Sequence, residues 1–111
     1  MTERDAAGGR MVPLDARTVA DALGALQGRR VYIHLEVNPG AYWRNGGGRL
    51  EAAHVRGDGP YRLFLRVDDG LIQIDALTHM ALSDGIVICT GYDDVQRLAR
   101  TVQVSLEPFA L

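Results

Sequence analysis

Apolar side chains fall every third or fourth residue in only one stretch of the chain. Val19, Ala22, Leu23 and Leu26 stand at i, i+3, i+4 and i+7, the stripe of an amphipathic helix, with Asp15 placed to cap its start and Gly28 to end it. From Val31 onward the period changes to two. Val31, Ile33, Leu35 and Val37 alternate with Tyr32, His34, Glu36 and Asn38 up to Pro39-Gly40, the pattern of a half-buried strand. Residues 41–44 and 50–56 read as extended segments separated by Asn45-Gly46-Gly47-Gly48, a run that favours positive φ and predicts a flexible loop tip. Tyr61, Leu63, Leu65 and Val67 alternate with Arg62, Phe64 and Arg66, then turn through Asp68-Asp69-Gly70 into residues 71–76, the clearest hairpin in the chain. Residues 77–82 continue extended to Ser83-Asp84-Gly85, and the β-branched run Ile86-Val87-Ile88-Cys89-Thr90 turns at Gly91-Tyr92-Asp93-Asp94. A last strand, Thr101-Val102-Gln103-Val104-Ser105-Leu106, stops before Pro108.

These elements predict a mainly β fold of the α+β kind. One N-terminal helix precedes a small antiparallel barrel-like or strongly twisted sheet of about six to eight strands. Residues 1–12 are expected to be a flexible tail and residues 13–111 a single β-rich domain.

Strand parity sorts the polar side chains, because residues two apart point the same way. With Val31, Ile33 and Leu35 facing the core, Tyr32, His34 and Glu36 share the other face. The same rule puts His54 and Arg56, Arg62 and Arg66, and Gln73, Asp75 and His79 on the polar side of their strands. A polar face carrying all three histidines is one outcome. Imidazole and carboxylate are ordinary zinc or iron ligands, so His34, Glu36 and either His54 or His79 could converge on a metal or act as an acid and base. The plain alternative is a solvated face on which Glu36 and Asp75 pair across strands with Arg56, Arg62 or Arg66, at about 0.2–1 kcal/mol each.

Composition narrows the chemistry. All 12 basic residues of the 111 are arginine, set against 14 acidic ones, for a net charge of -2. That balance gives little long-range attraction for nucleic acid or an anionic membrane, and a chain without lysine has no Schiff-base amine and no P-loop cation. Cys89 has no partner for an internal disulfide and sits in an apolar strand, where cysteine acts as a small buried hydrophobe. With no apolar run long enough for a signal peptide or a membrane span, the expected location is the cytoplasm. Gly57-Asp58-Gly59 lacks the rest of a dinucleotide fingerprint, and Tyr42-Trp43 reads as a lid over the core or an anchor for a partner.

Two functional readings follow. The first is a non-catalytic module without a cofactor that binds a protein partner or a small anionic ligand through Tyr32, His34, Glu36, Arg62 and His79, with Arg62 holding a carboxylate or phosphate in its planar fork. The second is a small metal-dependent hydrolase with His34, Glu36 and His79 as ligands. Edge strands near Trp43 or over residues 98–106 would also allow a homodimer.

Five stretches taken together carry a family resemblance. Val31-Tyr32-Ile33-His34-Leu35-Glu36, Gly40-Ala41-Tyr42, Gly57-Asp58-Gly59-Pro60-Tyr61-Arg62, Leu77-Thr78-His79 and Ser105-Leu106-Glu107-Pro108-Phe109 resemble, in that order, the YojF-like family of uncharacterised bacterial proteins, over roughly residues 15–109. The resemblance implies a small β-rich, barrel-like fold with an N-terminal helix and no established activity. In bacilli, genes of the family can lie beside a deacetylase of the bacillithiol type, so it also implies an accessory role in low-molecular-weight thiol metabolism. The chain departs from the family pattern at Tyr92, where histidine is common after the glycine, and at its glycine-rich loop, which replaces a polar one. Both departures weaken any site built on that histidine.

Overall fold

The helix forms where its signals fall. In the computed structural model, which describes residues 10–111, the helix α1 covers Ala16–Gly24, and the Asp15 carboxylate accepts the backbone N–H groups of Arg17 and Thr18 at 3.0 and 3.1 Å. Two of the helix's orphan donors are thereby satisfied. The regular turns stop at Gly24, earlier than the apolar stripe suggested, yet Leu26 remains buried in the turn that follows, and Gly28 sits at φ +84° with its N–H on the carbonyl of Leu50. The expected tail falls on residues outside the described ones, except at its end. There Val12–Pro13 form a short strand, β1.

Seven further strands follow: β2 (Arg30–Val37), β3 (Ala41–Arg56), β4 (Tyr61–Val67), β5 (Gly70–Leu77), β6 (His79–Ser83), β7 (Ile86–Tyr92) and β8 (Leu98–Ser105). They make one antiparallel sheet in the order β1-β6-β7-β8-β2-β3-β4-β5. The sheet curls into a half-barrel whose concave side holds the core. Val19 and Leu23 of the helix pack there among Val31, Ile33, Leu50 and Leu65, none of which is exposed to solvent. Each such side chain contributes on the order of 1.5–3 kcal/mol. β5 passes into β6 through Thr78, whose N–H bonds the carbonyl of Thr90 at 2.8 Å, so one end of the curl folds back onto β7.

Asn45-Gly46-Gly47-Gly48 is not a loop tip. It is the interior of the 16-residue strand β3, which belongs with β2 over its first half and with β4 over its second. Small size is what the three glycines supply. A Cβ on Gly46 would lie 1.8 Å from the Trp43 indole, one on Gly47 would lie 2.1 Å from the Val31 carbonyl oxygen, and one on Gly48 would lie 2.1 Å from the Asp68 carboxylate. The predicted flexibility is lost because strand, indole and turn all close onto this run. Asn45 is the extra residue of a β-bulge, since Ile33 pairs with Gly46 but His34 with Arg44. It adopts φ +64°, a conformation asparagine tolerates better than most residues.

Two glycine substitutions should separate close approach from simple flexibility. Gly47→Ala meets backbone and is expected to destabilise by about 2–3 kcal/mol. Gly24→Ala, where a Cβ meets nothing within 4 Å, is expected to stabilise by about 0.5–1 kcal/mol. Urea unfolding of both variants measures the difference.

Candidate functional site

Parity holds on β2: Tyr32, His34 and Glu36 do lie on the face away from the core. That face is not open at His34, which is only 3% exposed. The Tyr42 ring stands edge-on to the imidazole with centroids 5.1 Å apart, and Phe109 covers it from the C-terminal segment at 6.1 Å. Both ring nitrogens are engaged. Arg44 donates from Nε to Nδ1 at 3.3 Å, so Nδ1 carries no proton, and Nε2–H donates to the Glu36 carboxylate at 3.1 Å. Asn38 donates to the other carboxylate oxygen at 2.8 Å. The Asn38 bond is the largest influence holding the Glu36 carboxyl below its ordinary value; burial opposes it, and His34 and Arg44 reinforce it.

This relay clamps the end of the chain. Asn45, turned outward by the bulge, donates to the Phe109 carbonyl and accepts the Phe109 N–H, both at 2.7 Å, while Arg44 also donates to the carbonyl of Ala110. An imidazole held between a guanidinium and a carboxylate has both nitrogens spent on hydrogen bonds and none free for a metal. The arrangement can hold a strap in place.

The remaining candidates stand elsewhere. Tyr32 lies on the same face but its hydroxyl accepts from Arg30 Nε at 3.4 Å, and the Arg30 guanidinium sits over its ring at 5.2 Å. His79 shares a row with Glu36 through Thr90 and Thr101, three strand spacings or about 14 Å away. Its imidazole is taken by the Thr78 hydroxyl at 2.7 Å and by the Tyr92 ring at 5.0 Å. The convergence of His34, Glu36 and His79 on one metal therefore does not occur, and among the described residues no three His, Cys, Asp or Glu side chains come together as a ligand set. Cys89 is buried, and that burial pushes its thiol up to about 12, so it is no nucleophile at neutral pH.

Arg62 belongs to a different surface. β4 and the second half of β3 turn their polar side into an open groove of about 490 Å³. Across it Arg56 pairs with Arg62, His54 with Phe64, and Ala52 with Arg66, while Leu71 of β5 closes one side. Among the described residues none of these three arginines meets a carboxylate within ion-pair distance, whereas nearby Arg49 is paired with Glu51 at 3.2 Å. The expected cross-strand pairing of Arg56, Arg62 or Arg66 with Glu36 or Asp75 is thus not formed. Asp75 instead accepts from Gln73 at 2.9 Å, and Glu36 lies on the other half of the sheet.

Sequence reading missed Arg44, Asn45 and Phe109 as partners of His34, and Phe64 as part of a groove. Asn before a glycine run inside an extended pattern is a bulge signal that would have located the first pair. Nothing local foretells that the C-terminus folds over His34.

Fold and sites together define a curled β-sheet protein with a strapped polar face on one half and an arginine groove on the other. The chain belongs to the family described as a protein of unknown function (DUF1806), whose model matches residues 13–109. It is 31% identical over 98 residues to the uncharacterised protein YojF of Bacillus subtilis (strain 168), an alignment covering 75% of this chain and 84% of that one. The crystal structure of Bacillus subtilis YojF superposes with a TM-score of 0.82 at 30% identity, covering 91% of this chain and 98% of that one. The family resemblance carried by the five stretches and the mainly β architecture are both confirmed. No helix among the described residues is long and apolar enough to cross a membrane.

The relay makes two checkable demands. Because the Glu36 carboxyl is depressed, its contribution to stability is present above its unfolded value of about 4.3 and is lost as pH falls through the lower folded value. Glu36→Gln should accordingly show a smaller fall in urea midpoint than wild type between about pH 6 and pH 3. His34→Ala should cost about 1–3 kcal/mol and speed hydrogen exchange at the Phe109 amide. Unchanged protection of Phe109 would show that the strap does not depend on the imidazole.

Proposed function

We propose that this protein is a non-catalytic binding module and that its ligand is a small anion held in the groove around Arg62. The observation that supports this is a contrast in how the polar residues are spent. His34 and Glu36, the groups best suited to catalysis, are consumed in holding the chain's own end. Arg62, Arg56 and Arg66 stand exposed around a concavity without a carboxylate partner among the described residues. A guanidinium keeps its charge at any physiological pH and presents a planar fork that fits carboxylate or phosphate oxygens two at a time. The concavity has the size of an ordinary small-molecule site.

An accessory role in low-molecular-weight thiol metabolism remains an implication of the family resemblance and draws on no residue of the groove. A hydrolase built on His34, Glu36 and His79 has no support in their placement.

Thermal unfolding at low ionic strength tests the proposal. Inorganic phosphate at about 10 mM should raise Tm by about 2–5 °C, an increment that shrinks as sodium chloride is added. Arg62→Ala should abolish the increment, whereas His34→Ala should start from a lower Tm and keep it. An increment that survives Arg62→Ala, or its absence from wild type, refutes the anion site.

A further inference from the structure

The groove is laid out in rows, and the rows differ in chemistry. At one end Arg56 and Arg62 face each other directly across β3 and β4. Like charges in that position repel and destabilise a sheet, the more so where neither has a carboxylate partner among the described residues. In the middle row His54 faces Phe64, whose ring is half-buried and lines the groove. Beyond it comes Arg66, four residues along β4 from Arg62 and so about 13 Å away, with Phe64 midway.

We infer, resting on the anion site proposed above, that the ligand is a small phosphate monoester carrying a planar ring. Its phosphate lies between the Arg56 and Arg62 guanidinia and its ring lies on Phe64, bounded by His54 and Arg66. A doubly charged oxyanion removes the repulsion between the two arginines and accepts from both forks. About 7 Å separates the arginine row from the phenyl row, which suits a phosphate joined to a ring through a short sugar or alkyl spacer. Phe64 offers a flat apolar surface, and aromatic rings stack there without needing hydrogen-bond readout. The occupant is a free small molecule rather than a nucleic-acid strand. Asp58 lies in the β3–β4 turn at the Arg56–Arg62 end and Asp69 in the β4–β5 turn at the Arg66 end, and the whole chain carries -2. A polyanion threading past those carboxylates is repelled, whereas a single phosphate seated between two arginines is not.

Isothermal titration of the full chain with adenosine 5′-monophosphate, ribose 5-phosphate and adenosine separates the parts. The monophosphate should bind about tenfold tighter than ribose 5-phosphate, the difference being the stacked ring, and adenosine should bind far more weakly than either. Phe64→Leu keeps an apolar side chain and should erase the advantage of the monophosphate over ribose 5-phosphate. Arg56→Gln, at an exposed position that does not threaten folding, should weaken both phosphates about equally. If ribose 5-phosphate matches the monophosphate, or if the advantage survives Phe64→Leu, the ring subsite is overturned while the anion site stands. If neither phosphate binds, both fall. A 5′-phosphorylated oligoadenylate binding more tightly per site than the monophosphate would overturn the free-molecule occupant.

Discussion

The sheet depends on one constraint: β3 must serve two partners that do not lie in one plane. Its 16 residues pair with β2 at the start and with β4 at the end, and the change of direction falls at Asn45 and the three glycines after it. Strands twist as they lengthen, and a strand this long cannot stay flat against two neighbours without a place to bend. Removing side chains from three consecutive positions lets the Val31 carbonyl, the Trp43 indole and the Asp68 turn approach the β3 backbone closely. The curl that results makes the concave side deep enough for Val19 and Leu23 of the helix to fill.

The same bend divides the outer face into two surfaces with opposite uses of charge. On the β2 side, Arg44, His34, Glu36 and Asn38 form a chain of hydrogen bonds in which each polar group is satisfied by the next. Such a network is stable only when complete, and Phe109 and Tyr42 complete it by excluding water from the imidazole. On the β4 side the arginines meet no carboxylate among the described residues, and three guanidinia face a shared concavity. One surface resolves its polarity within the molecule. The other leaves three guanidinia exposed around the groove.

Most of the elements were legible one by one. The Asp15 cap, the alternation in β2, the hairpin at Asp68-Asp69 and the strand before Pro108 all follow from local rules of capping, parity and turn chemistry, and the structure keeps them. Even the outward direction of His34, Arg62 and His79 was correct, because parity is a property of the backbone. The failures share one cause. The glycine run looked like a loop because its reason for being small lies in Val31, Trp43 and Asp68 rather than in its neighbours along the chain. His34 looked available because Phe109, which covers it together with Tyr42, comes from the far end of the sequence.

Local patterns along the chain set most of the strands, which side of each is polar, and that arginine alone carries the positive charge. Those properties are set by periods of two or four residues and by composition. Which polar residues meet depends on how the strands assemble. A curled sheet keeps parity along each strand but turns the outward faces of its two halves in different directions. It therefore separated His34 and Glu36 from Arg62, set His79 three strands from Glu36, and gathered Arg56, Arg62 and Arg66 around Phe64. Distances across a sheet are fixed by strand order and curvature, and neither is written in any single stretch of the chain.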